Sequence, residues 1–324
     1  MKKIGIIVLN WNGKEDTKKC ISSLLLLSYP HVEIIIVDNG STDGSVAIFR
    51  EQFPTCTLIE TGENLGYAGG NNAGIEYGIT KGFDFFLLLN NDTTVDPLIL
   101  EAFLDAFTKE PKVGILGAKI YLMNDRTRLD HFGGNWNHSR REFDYVGYKD
   151  EDLGQWEHSQ HLDYVCGAAI MIKREVVETI GVLDSRFFLY WEEADFCFRA
   201  KQNGFEIKTC PQAKIWHKVS ASFTGGKPHA SYFVWRNRLL WIERNFRGFR
   251  RTYYLSRLLS LELFSLYAKR NVRVFQFFLQ KFGKRKNSRN HERIKRYDAA
   301  ICGMHDYVMR RFGPGRSKNF MNCQ

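Results

Sequence analysis

Residues 83–96, FDFFLLLNNDTTVD, contain five consecutive apolar residues that run directly into Asn90, Asn91 and Asp92. A continuous apolar run of this length is typical of a buried strand in a parallel sheet. Small polar residues at its end suit either a turn that caps the next helix or a site that holds a carboxylate at the edge of the sheet. The rest of the chain decides between these alternatives.

Similar apolar runs recur through the first 120 residues and alternate with segments of helical spacing. They are Ile4–Leu9, Ile34–Val37, Thr57–Ile59 and Val113–Leu116. The alternation predicts an α/β fold with a mostly parallel sheet and helices on both faces. Three runs end in NWNG, DNGSTDGS and NND, and the carboxyl ends of parallel strands share one edge. We therefore expect a site the size of a nucleotide at that edge.

The second half of the chain differs in composition and hydrophobic pattern. Residues 131–158 are aromatic, polar and irregular, which predicts a long loop region. A buried strand is predicted at 164–172, a helix with an acidic start from Tyr190 to Gly204, and a closing strand within 206–220.

The net charge of +10 comes from one region of the 324-residue chain. Residues 1–234 carry a net charge of −7, whereas residues 235–296 carry 18 basic and 3 acidic residues, a net of +15. Because large apolar residues interleave with the arginines, this region predicts a basic amphipathic helix that docks on a membrane surface. A helical cap on the preceding domain and nucleic-acid binding are the alternatives, nucleic acid being the less favoured.

The seven cysteines contain no C-x-x-C pair. This spacing argues against a disulfide framework or a zinc site and favours a reducing compartment. The apolar run near the start is too short for a signal peptide, and no stretch approaches the ~20 apolar residues of a spanning helix. The sequence therefore predicts a cytoplasmic protein that is soluble or peripheral to a membrane.

Two aspartates follow the second apolar run. Asp38 at the end of that run suits a ribose or base contact, and Asp43 suits either this role or the N-cap of the next helix. Only Gly13 follows the first run, so the glycines of a dinucleotide fingerprint are absent and a nicotinamide enzyme fits poorly. The glycine-rich residues 63–74 suit either a phosphate cradle or a tight turn.

The segment 189–204, LYWEEADFCFRAKQNG, places two adjacent glutamates beside aromatic residues, as a sugar site requires. Glu192 and Glu193 suit acceptor binding and proton removal. Asp195 is predicted to pair with Arg199 one helical turn later.

His217 follows the predicted closing strand. A lone histidine is more often structural than a ligand, but a pair formed with Asp92 would suit manganese or magnesium beside a diphosphate. The functional interpretation of His217 therefore depends on whether the fold brings these two residues together.

Five motifs stand in the order seen in one family: IIVLNWNG, VDNGSTDGS, NLGYAGGNNAGI, LLLNND and YWEEADFCFRAKQNGF. The chain resembles the family 2 inverting glycosyltransferases with the GT-A fold, and within them the rhamnosyltransferase-type branch, from residue 4 to about 240. The resemblance implies transfer of a sugar from dTDP-rhamnose or a UDP-sugar to a surface polysaccharide or a polyprenyl-diphosphate-linked glycan. It also implies a divalent manganese or magnesium ion and a place on the inner face of the cytoplasmic membrane, where anionic lipid is the partner.

The resemblance assigns roles to individual residues. Glu193 takes the place of the catalytic base, with Glu192 as the acceptor-binding acid, and Asp92 and His217 become metal ligands. The residues implied at the donor are Asn10, Asp38, Asp43, Asn64, Gly66, Asn71, Asn90 and Asn91. Two departures stand out: Asn90 replaces the first aspartate of the family's D-x-D signature, and Glu193 replaces an aspartate.

The resemblance divides the chain into three regions. Residues 1–125 are the nucleotide-sugar half and 126–235 the acceptor half of one GT-A domain, and 236–324 form the basic helical region. Trp136 and residues 126–160 are expected to shape the choice of acceptor. A non-catalytic carbohydrate-binding relative and a sugar nucleotidyltransferase are the alternative functions.

Overall fold

The computed structural model describes residues 1–219, 227–282 and 288–321. They form two compact units. The first consists of Met1–Ser185 and Glu192–Val219, and the second joins Arg186–Trp191 to the described residues after Val219.

The first unit contains strands and helices in alternation. Its strands are β1 (Ile4–Asn10), β2 (Val32–Asp38), β3 (Thr57–Glu60), β4 (Phe85–Asn90), β5 (Thr93–Val95), β6 (Val113–Leu122), β7 (Asp125–Leu129), β8 (Gly133–Asn137), β9 (Glu142–Val146), β10 (Tyr164–Val165), β11 (Ala169–Lys173) and β12 (Glu206–His217). Its helices are α1 (Lys14–Leu24), α2 (Ser45–Gln52), α3 (Gly66–Thr80), α4 (Ile99–Lys109), α5 (Arg174–Ile180) and α6 (Glu192–Gln202).

Most of these strands form one large mixed sheet in the order β3-β2-β1-β4-β11-β6-β12-β5, with β7 paired to β6. Strands β3, β2, β1 and β4 run parallel, and β12 runs parallel to β6. Strand β11 lies antiparallel to both of its neighbours. The predicted α/β class with a parallel N-terminal sheet is therefore confirmed.

Helices cover both faces of this sheet. Ile4, Ile6 and Val8 of β1 share a core with Ile21 of α1, whereas Ile7 faces α3 on the other side. The side chain of each successive strand residue points to the opposite face, so a continuous apolar run buries both faces.

Helix α3 corrects the interpretation of residues 63–74. Most of this segment is helix rather than a phosphate cradle or a tight turn. Gly70 and Gly74 of this helix face the sheet. A Cβ atom at Gly70 would lie 2.3 Å from Leu9 Cδ1, and one at Gly74 would lie 2.6 Å from Ile7 Cγ2. The glycines let the helix backbone approach β1, a tertiary gain that outweighs their poor helix propensity.

The segment 131–158 is also corrected, since much of it is not loop. Strands β8 and β9 pair antiparallel within it, and β10 joins them in a three-stranded sheet of order β10-β8-β9. Trp136 is only 8% exposed and packs on Phe143 at 5.2 Å between ring centroids. Trp136 therefore presents little of its ring to an acceptor, and its expected role in the choice of acceptor stays a prediction.

The second unit is helical in the residues described. Its helices are α7 (Pro228–Asn245), α8 (Gly248–Arg257), a π-helical turn at Leu258–Glu262, α9 (Leu263–Phe282), α10 (Ser288–Val308) and α11 (Lys318–Met321). Among the described residues, none of the helices combines the length and apolarity that crossing a bilayer requires. The boundary expected at 235/236 falls inside α7, while the division at 125/126 stays a prediction.

Two buried side chains of α7 hold the segment Arg186–Trp191. Asn237 Nδ2 donates to the carbonyl oxygens of Phe187 at 2.9 Å, Leu189 at 2.8 Å and Tyr190 at 2.8 Å. Arg236, fully buried, donates to the Phe187 carbonyl at 2.7 Å and to the Asn237 side chain at 2.9 Å. The Asn237 amide and the Arg236 guanidinium thus donate hydrogen bonds to backbone carbonyl oxygens that lie outside any helix or strand.

This segment needs such support because its backbone is strained. Phe188, Tyr190 and Trp191 have φ values of 67°, 67° and 77°. These lie in the left-handed region, which costs a non-glycine residue about 1–2 kcal/mol. Trp191 is followed directly in the chain by Glu192, so the strained segment leads into α6.

Candidate active site

The carboxyl ends of three neighbouring strands meet at one edge of the large sheet. Asn10 at the end of β1 pairs in register with Asp38 at the end of β2, and Leu9 pairs with Asn90 at the end of β4. The polar residues that follow each apolar run therefore gather along one edge, as the sequence predicts. Their contact with a nucleotide stays a prediction.

The side chain of Asn10 ties the loops of this edge together. Its amide donates to Asp38 Oδ2 at 2.8 Å and to Ser41 Oγ at 3.0 Å, and its carbonyl oxygen accepts from Thr17 Oγ1 at 2.8 Å. Asp38 also accepts the Ser41 N–H at 2.9 Å. Because Asn10 and Asp38 are buried, their first effect is to fix the shape of the edge.

Asp43 caps two helices. Its carboxylate accepts the N–H of Ser45, the first residue of α2, at 3.1 Å and that of Lys14, the first residue of α1, at 3.2 Å. Burial alone would raise the pKa of Asp43, but the hydrogen bonds from Ser45 and Lys14 together hold it below its usual value. Asp43 thus makes the hydrogen bonds expected of a cap, although Gly44 holds the N-cap position of α2, and its contact with a nucleotide stays a prediction.

Asn39, which sequence reasoning missed, organises the turn before α3. Its Oδ1 accepts the Leu65 N–H at 3.0 Å, and its Nδ2 donates to Asn64 Oδ1 at 3.1 Å and to the Gly66 carbonyl at 3.1 Å. The same Asn64 oxygen accepts the Gly66 N–H at 2.8 Å. The signal was the position of Asn39 directly after a strand, next to Asp38.

Two further asparagines differ in how their polar atoms are used. Asn91 Nδ2 donates to Thr17 Oγ1 at 2.8 Å, which braces the end of β4 against α1. Asn71 on α3 donates to the Tyr67 carbonyl at 2.9 Å, while its Oδ1 is buried with no hydrogen-bond partner in the described structure. A buried, unpaired acceptor is costly unless a ligand donates to it.

The fold brings Asp92 and His217 together. Strand β12 pairs with β5 so that His217 lies opposite Thr93, and the Lys218 N–H donates to the Asp92 carbonyl at 2.9 Å. His217 Nε2 then lies 3.1 Å from Asp92 Oδ1. Both side chains are buried, His217 with 1% of its side chain exposed.

Asp130, which sequence reasoning also missed, lies on the other side of the imidazole. Its Oδ2 is 2.9 Å from His217 Nδ1. A carboxylate on the second nitrogen of a histidine fixes the ring orientation and is typical of histidines that bind metals. Asp130 directly follows β7, and nothing in its sequence context distinguishes it from a turn residue.

The electrostatics of this trio bear on metal binding. Burial alone would lower the pKa of His217, but hydrogen bonds to Asp130 and Asp92, together with their charges, raise it to about 9. Without a cation, the imidazole therefore keeps a proton between two carboxylates. A carboxylate oxygen and an imidazole nitrogen side by side form a donor set that fits manganese or magnesium.

A second cluster of potential ligands lies beside this trio. Single ligand atoms of Asp130, His131 and Cys166 lie within 4.8 Å of one another. Burial, followed by the charge of Asp130, raises the pKa of the Cys166 thiol well above its usual value. Since metals bind the thiolate, Asp92 and His217 fit a hard divalent cation better.

The two glutamates stand at the first turn of α6, where the helix dipole favours negative charge. Glu192 is buried, and Glu193 is partly exposed. Asp195 accepts from Arg199 Nε at 2.8 Å, which confirms the predicted ion pair one turn later. Asp195 is thus a structural residue of α6.

Gly167 and Tyr67 form one wall beside Glu193. A Cβ atom at Gly167 would lie 3.8 Å from the Glu193 carboxyl carbon and 3.3 Å from Tyr67 Oη. The Tyr67 hydroxyl donates to the Gly167 carbonyl at 2.7 Å. Burial, and next the charge of Glu193, raise the pKa of Tyr67 well above its usual value, so the hydroxyl stays protonated.

Comparison with known proteins gives relatives of modest identity. The low-salt glycan biosynthesis hexosyltransferase Agl10 of Haloferax volcanii is 27% identical over 250 residues, covering 73% of this chain and 74% of the relative. The N-acetylglucosaminyl-diphospho-decaprenol L-rhamnosyltransferase of Mycobacterium tuberculosis is 24% identical over 282 residues, covering 74% of this chain and 88% of the relative.

Solved structures share the fold. A mannosyltransferase from Pyrobaculum calidifontis, in complex with GDP-Man and Mn²⁺, has a TM-score of 0.57 at 14% identity and covers 95% of this chain and 88% of its own. GalNAc-T7 with UDP, GalNAc and Mn²⁺ has a TM-score of 0.54 at 13% identity, covering 66% of this chain and 43% of its own. The expected GT-A architecture is therefore confirmed.

The family comparison concerns the unit that carries the edge of Asn10, Asp38 and Asp92. The description Glycosyl transferase family 2 matches residues 5–181 of the 324. The matched part includes β1 to β4 and ends before the glutamate pair of α6. The chain thus belongs to glycosyl transferase family 2.

Proposed function

We propose that this chain is an inverting, metal-dependent transferase. It moves a sugar from a nucleoside-diphosphate donor, dTDP-rhamnose or a UDP-sugar, to a hydroxyl of a surface polysaccharide or lipid-linked glycan. The observation that carries the proposal is the buried pair of Asp92 and His217 at the carboxyl edge of the sheet. The rhamnosyltransferase and hexosyltransferase relatives support the reaction class.

Asp92 and His217 would hold the cation, with Asp130 orienting the imidazole from behind. A divalent cation bound there supplies charge that offsets the negative charge of the departing diphosphate. The unpaired Oδ1 of Asn71 would accept a hydrogen bond from a donor hydroxyl. In this proposal Asn10, Asp38 and Asn64 shape the edge on which the nucleotide lies.

Glu193 would accept the proton of the acceptor hydroxyl, and Glu192 would bind the acceptor. The attacking oxygen then approaches the anomeric carbon from the face opposite the leaving diphosphate, so the configuration inverts in one step. Glu193 is one methylene longer than the aspartate usual in the family. Its carboxyl carbon lies beside Gly167, where a Cβ atom would be at contact distance, 3.8 Å.

Calorimetric titration of UDP, dTDP and GDP, each with and without manganese, tests the cation site. We expect one nucleoside diphosphate to bind at least tenfold more tightly with manganese. Asp92→Ala and His217→Ala should abolish this gain, whereas Asp105→Ala, an exposed aspartate of α4, should keep it. Nucleotide affinity that changes neither with manganese nor with removal of Asp92 would contradict the proposal.

We also propose that α8 and α9 dock on an anionic membrane, which would bring the enzyme to a lipid-linked acceptor. Leu261, Phe264, Val272 and Phe275 are exposed and spaced by 3, 8 and 3 residues, which places them on one face of a helix. Phe264 is 74% exposed and Phe275 64%. An exposed apolar face of this length marks an interaction surface.

The charges beside this face favour a lipid partner. Arg250, Arg251, Arg257 and Lys269 are exposed in the same helices, and Glu262 is the one acidic residue between Arg247 and Lys269. Basic residues flanking an apolar helix face are typical of interfacial helices on anionic lipid. The residues 283–287, which belong to the predicted basic region, lie outside the described structure.

Sedimentation with vesicles tests the docking surface. The full chain should pellet with vesicles of mixed anionic and zwitterionic lipid at low salt and less with purely zwitterionic vesicles. Phe264→Asp with Phe275→Asp should reduce the pelleted fraction severalfold, whereas Leu153→Asp, exposed in the first unit, should not. Equal pelleting of all three proteins would overturn this proposal and leave the donor site untouched.

A further inference from the structure

The three-stranded sheet carries two tyrosines on either side of a glycine. Tyr164 of β10 lies opposite Gly134 of β8, and Gly134 lies opposite Tyr145 of β9. Residues directly opposite each other in antiparallel strands point to the same face. The row Tyr164, Gly134, Tyr145 therefore presents two phenol rings with no side chain between them.

Gly134 must stay without a side chain for this arrangement to persist. A Cβ atom there would lie 3.0 Å from Tyr164 Cε1 and 2.6 Å from the Asp144 carbonyl oxygen. The ring of Tyr164 therefore lies against the backbone of Gly134. Tyr164, at 5% exposure, forms the inner side of this row.

Tyr145 forms the outer side and is exposed but supported. It is 57% exposed, and neighbouring rings contact it on two sides: His131 at 5.0 Å and Tyr148 at 5.8 Å between centroids. An exposed aromatic ring that its neighbours hold in place loses little entropy when a ligand binds, unlike a free surface side chain. More than half of the surface of Tyr145 is open to solvent and can contact a ligand.

The row lies beside the proposed catalytic base. Helix α6, which carries Glu193, packs on β10, and Tyr164 precedes Gly167 by three residues. Desolvation and, next, the negative charge of Glu193 raise the pKa of Tyr145 to about 12. The charge of Glu193 also acts on the Tyr164 hydroxyl. Both phenols therefore keep their protons and remain hydrogen-bond donors at neutral pH.

We infer that Tyr145, with His131 and Tyr148 beside it, is the platform on which a pyranose ring of the acceptor glycan stacks. The apolar C–H face of such a ring suits an aromatic face, and its hydroxyls suit phenolic donors. Stacking here would hold an acceptor hydroxyl toward Glu193. This inference rests on the proposed function and adds the residues that choose the acceptor.

Saturation-transfer NMR with methyl glycosides of glucose, N-acetylglucosamine, galactose and mannose tests the platform without turnover. Ring protons of at least one glycoside should receive saturation from the wild-type protein and from Tyr145→Phe. The signal should fall at least fivefold in Tyr145→Ala and persist in Leu153→Ala, whose side chain is 81% exposed in the same unit. An unchanged signal in Tyr145→Ala, or none with any glycoside, would overturn the inference.

Titration of the donor nucleotide distinguishes failure of the platform inference from failure of the proposed function. Tyr145→Ala should bind the nucleoside diphosphate with manganese as tightly as wild type does, because Tyr145 is neither a proposed cation ligand nor one of the residues proposed at the donor. With a glycoside that serves as acceptor, its KM should rise about tenfold while the donor KM stays constant. An unchanged acceptor KM contradicts the platform alone, whereas absent donor binding in wild type contradicts the transferase.

Discussion

Among single residues, His217 is the proposed cation ligand held by two carboxylates. Its two ring nitrogens face Asp92 at 3.1 Å and Asp130 at 2.9 Å, and the ring is buried. A buried imidazolium between two carboxylates is stable only while all three keep their charges. The same trio that would bind a cation is therefore a pH-sensitive contribution to stability when the cation is removed.

Metal-free protein should lose stability as the pH rises from 6.5 to 9. The folded pKa of His217, about 9, lies above its unfolded value of about 6.5. The stabilisation is thus complete below pH 6.5 and fades as the pH passes the folded pKa. At about 1.4 kcal/mol per pKa unit, the loss amounts to roughly 3 kcal/mol. Urea unfolding in chelator at pH 6, 7.5 and 9.5 measures it.

Two histidine variants serve as the comparison for that experiment. His217→Gln should flatten the pH dependence, and His31→Gln, at an exposed position, should retain it. Identical pH profiles for His217→Gln and wild type would show that the trio does not hold a proton in the folded state.

At the element scale, the N-terminal strands were predictable because each is a continuous apolar run. The runs at Ile4–Leu9 and Phe85–Leu89 became β1 and β4 within a residue. Helix α3 was not predictable, since Gly70 and Gly74 disfavour a helix and only their contact with β1 explains them. Strands β8 and β9 were missed because their polar, aromatic residues lack an apolar run.

The candidate site, too, could be predicted from the sequence only in part. Asp92 and His217 are 125 residues apart, and a sequence pattern could suggest their pairing but not establish it. Asp130 and Tyr145 carry no motif, and their positions follow from strand registers that depend on the whole sheet. Residues that act through long-range geometry are the ones that sequence reasoning misses.

Asn237 offers a prediction at the scale of an element. Asn237→Ala removes the donor for three carbonyl oxygens in the strained segment Arg186–Trp191. At about 1 kcal/mol per hydrogen bond, the variant should be destabilised by roughly 2–4 kcal/mol. Thermal unfolding measures this, with Asn271→Ala, an exposed asparagine of α9, as the control. Equal melting temperatures for the two variants would mean that Asn237 does not hold the segment.

Across the whole molecule, charge divides along the sequence. Residues 1–234 carry a net charge of −7, and residues 235–296 carry +15. Within the negative part, Asp92 and Asp130 face His217 at the edge of the sheet where a cation would bind. The positive second unit presents its arginines beside an apolar helix face. This division is what the proposed cation-bound donor site and the proposed membrane-docking helices would require.

In the proposed reaction, Glu193 removes a proton from an acceptor hydroxyl while the cation site holds the donor. The most direct test measures the donor dissociation constant and the sugar-transfer rate side by side for wild type and Glu193→Gln, with Glu175→Gln, exposed on α5, as the control. We predict a transfer rate lowered by about 10²–10⁴ in Glu193→Gln at an unchanged donor dissociation constant. Transfer at the wild-type rate by Glu193→Gln would contradict the account.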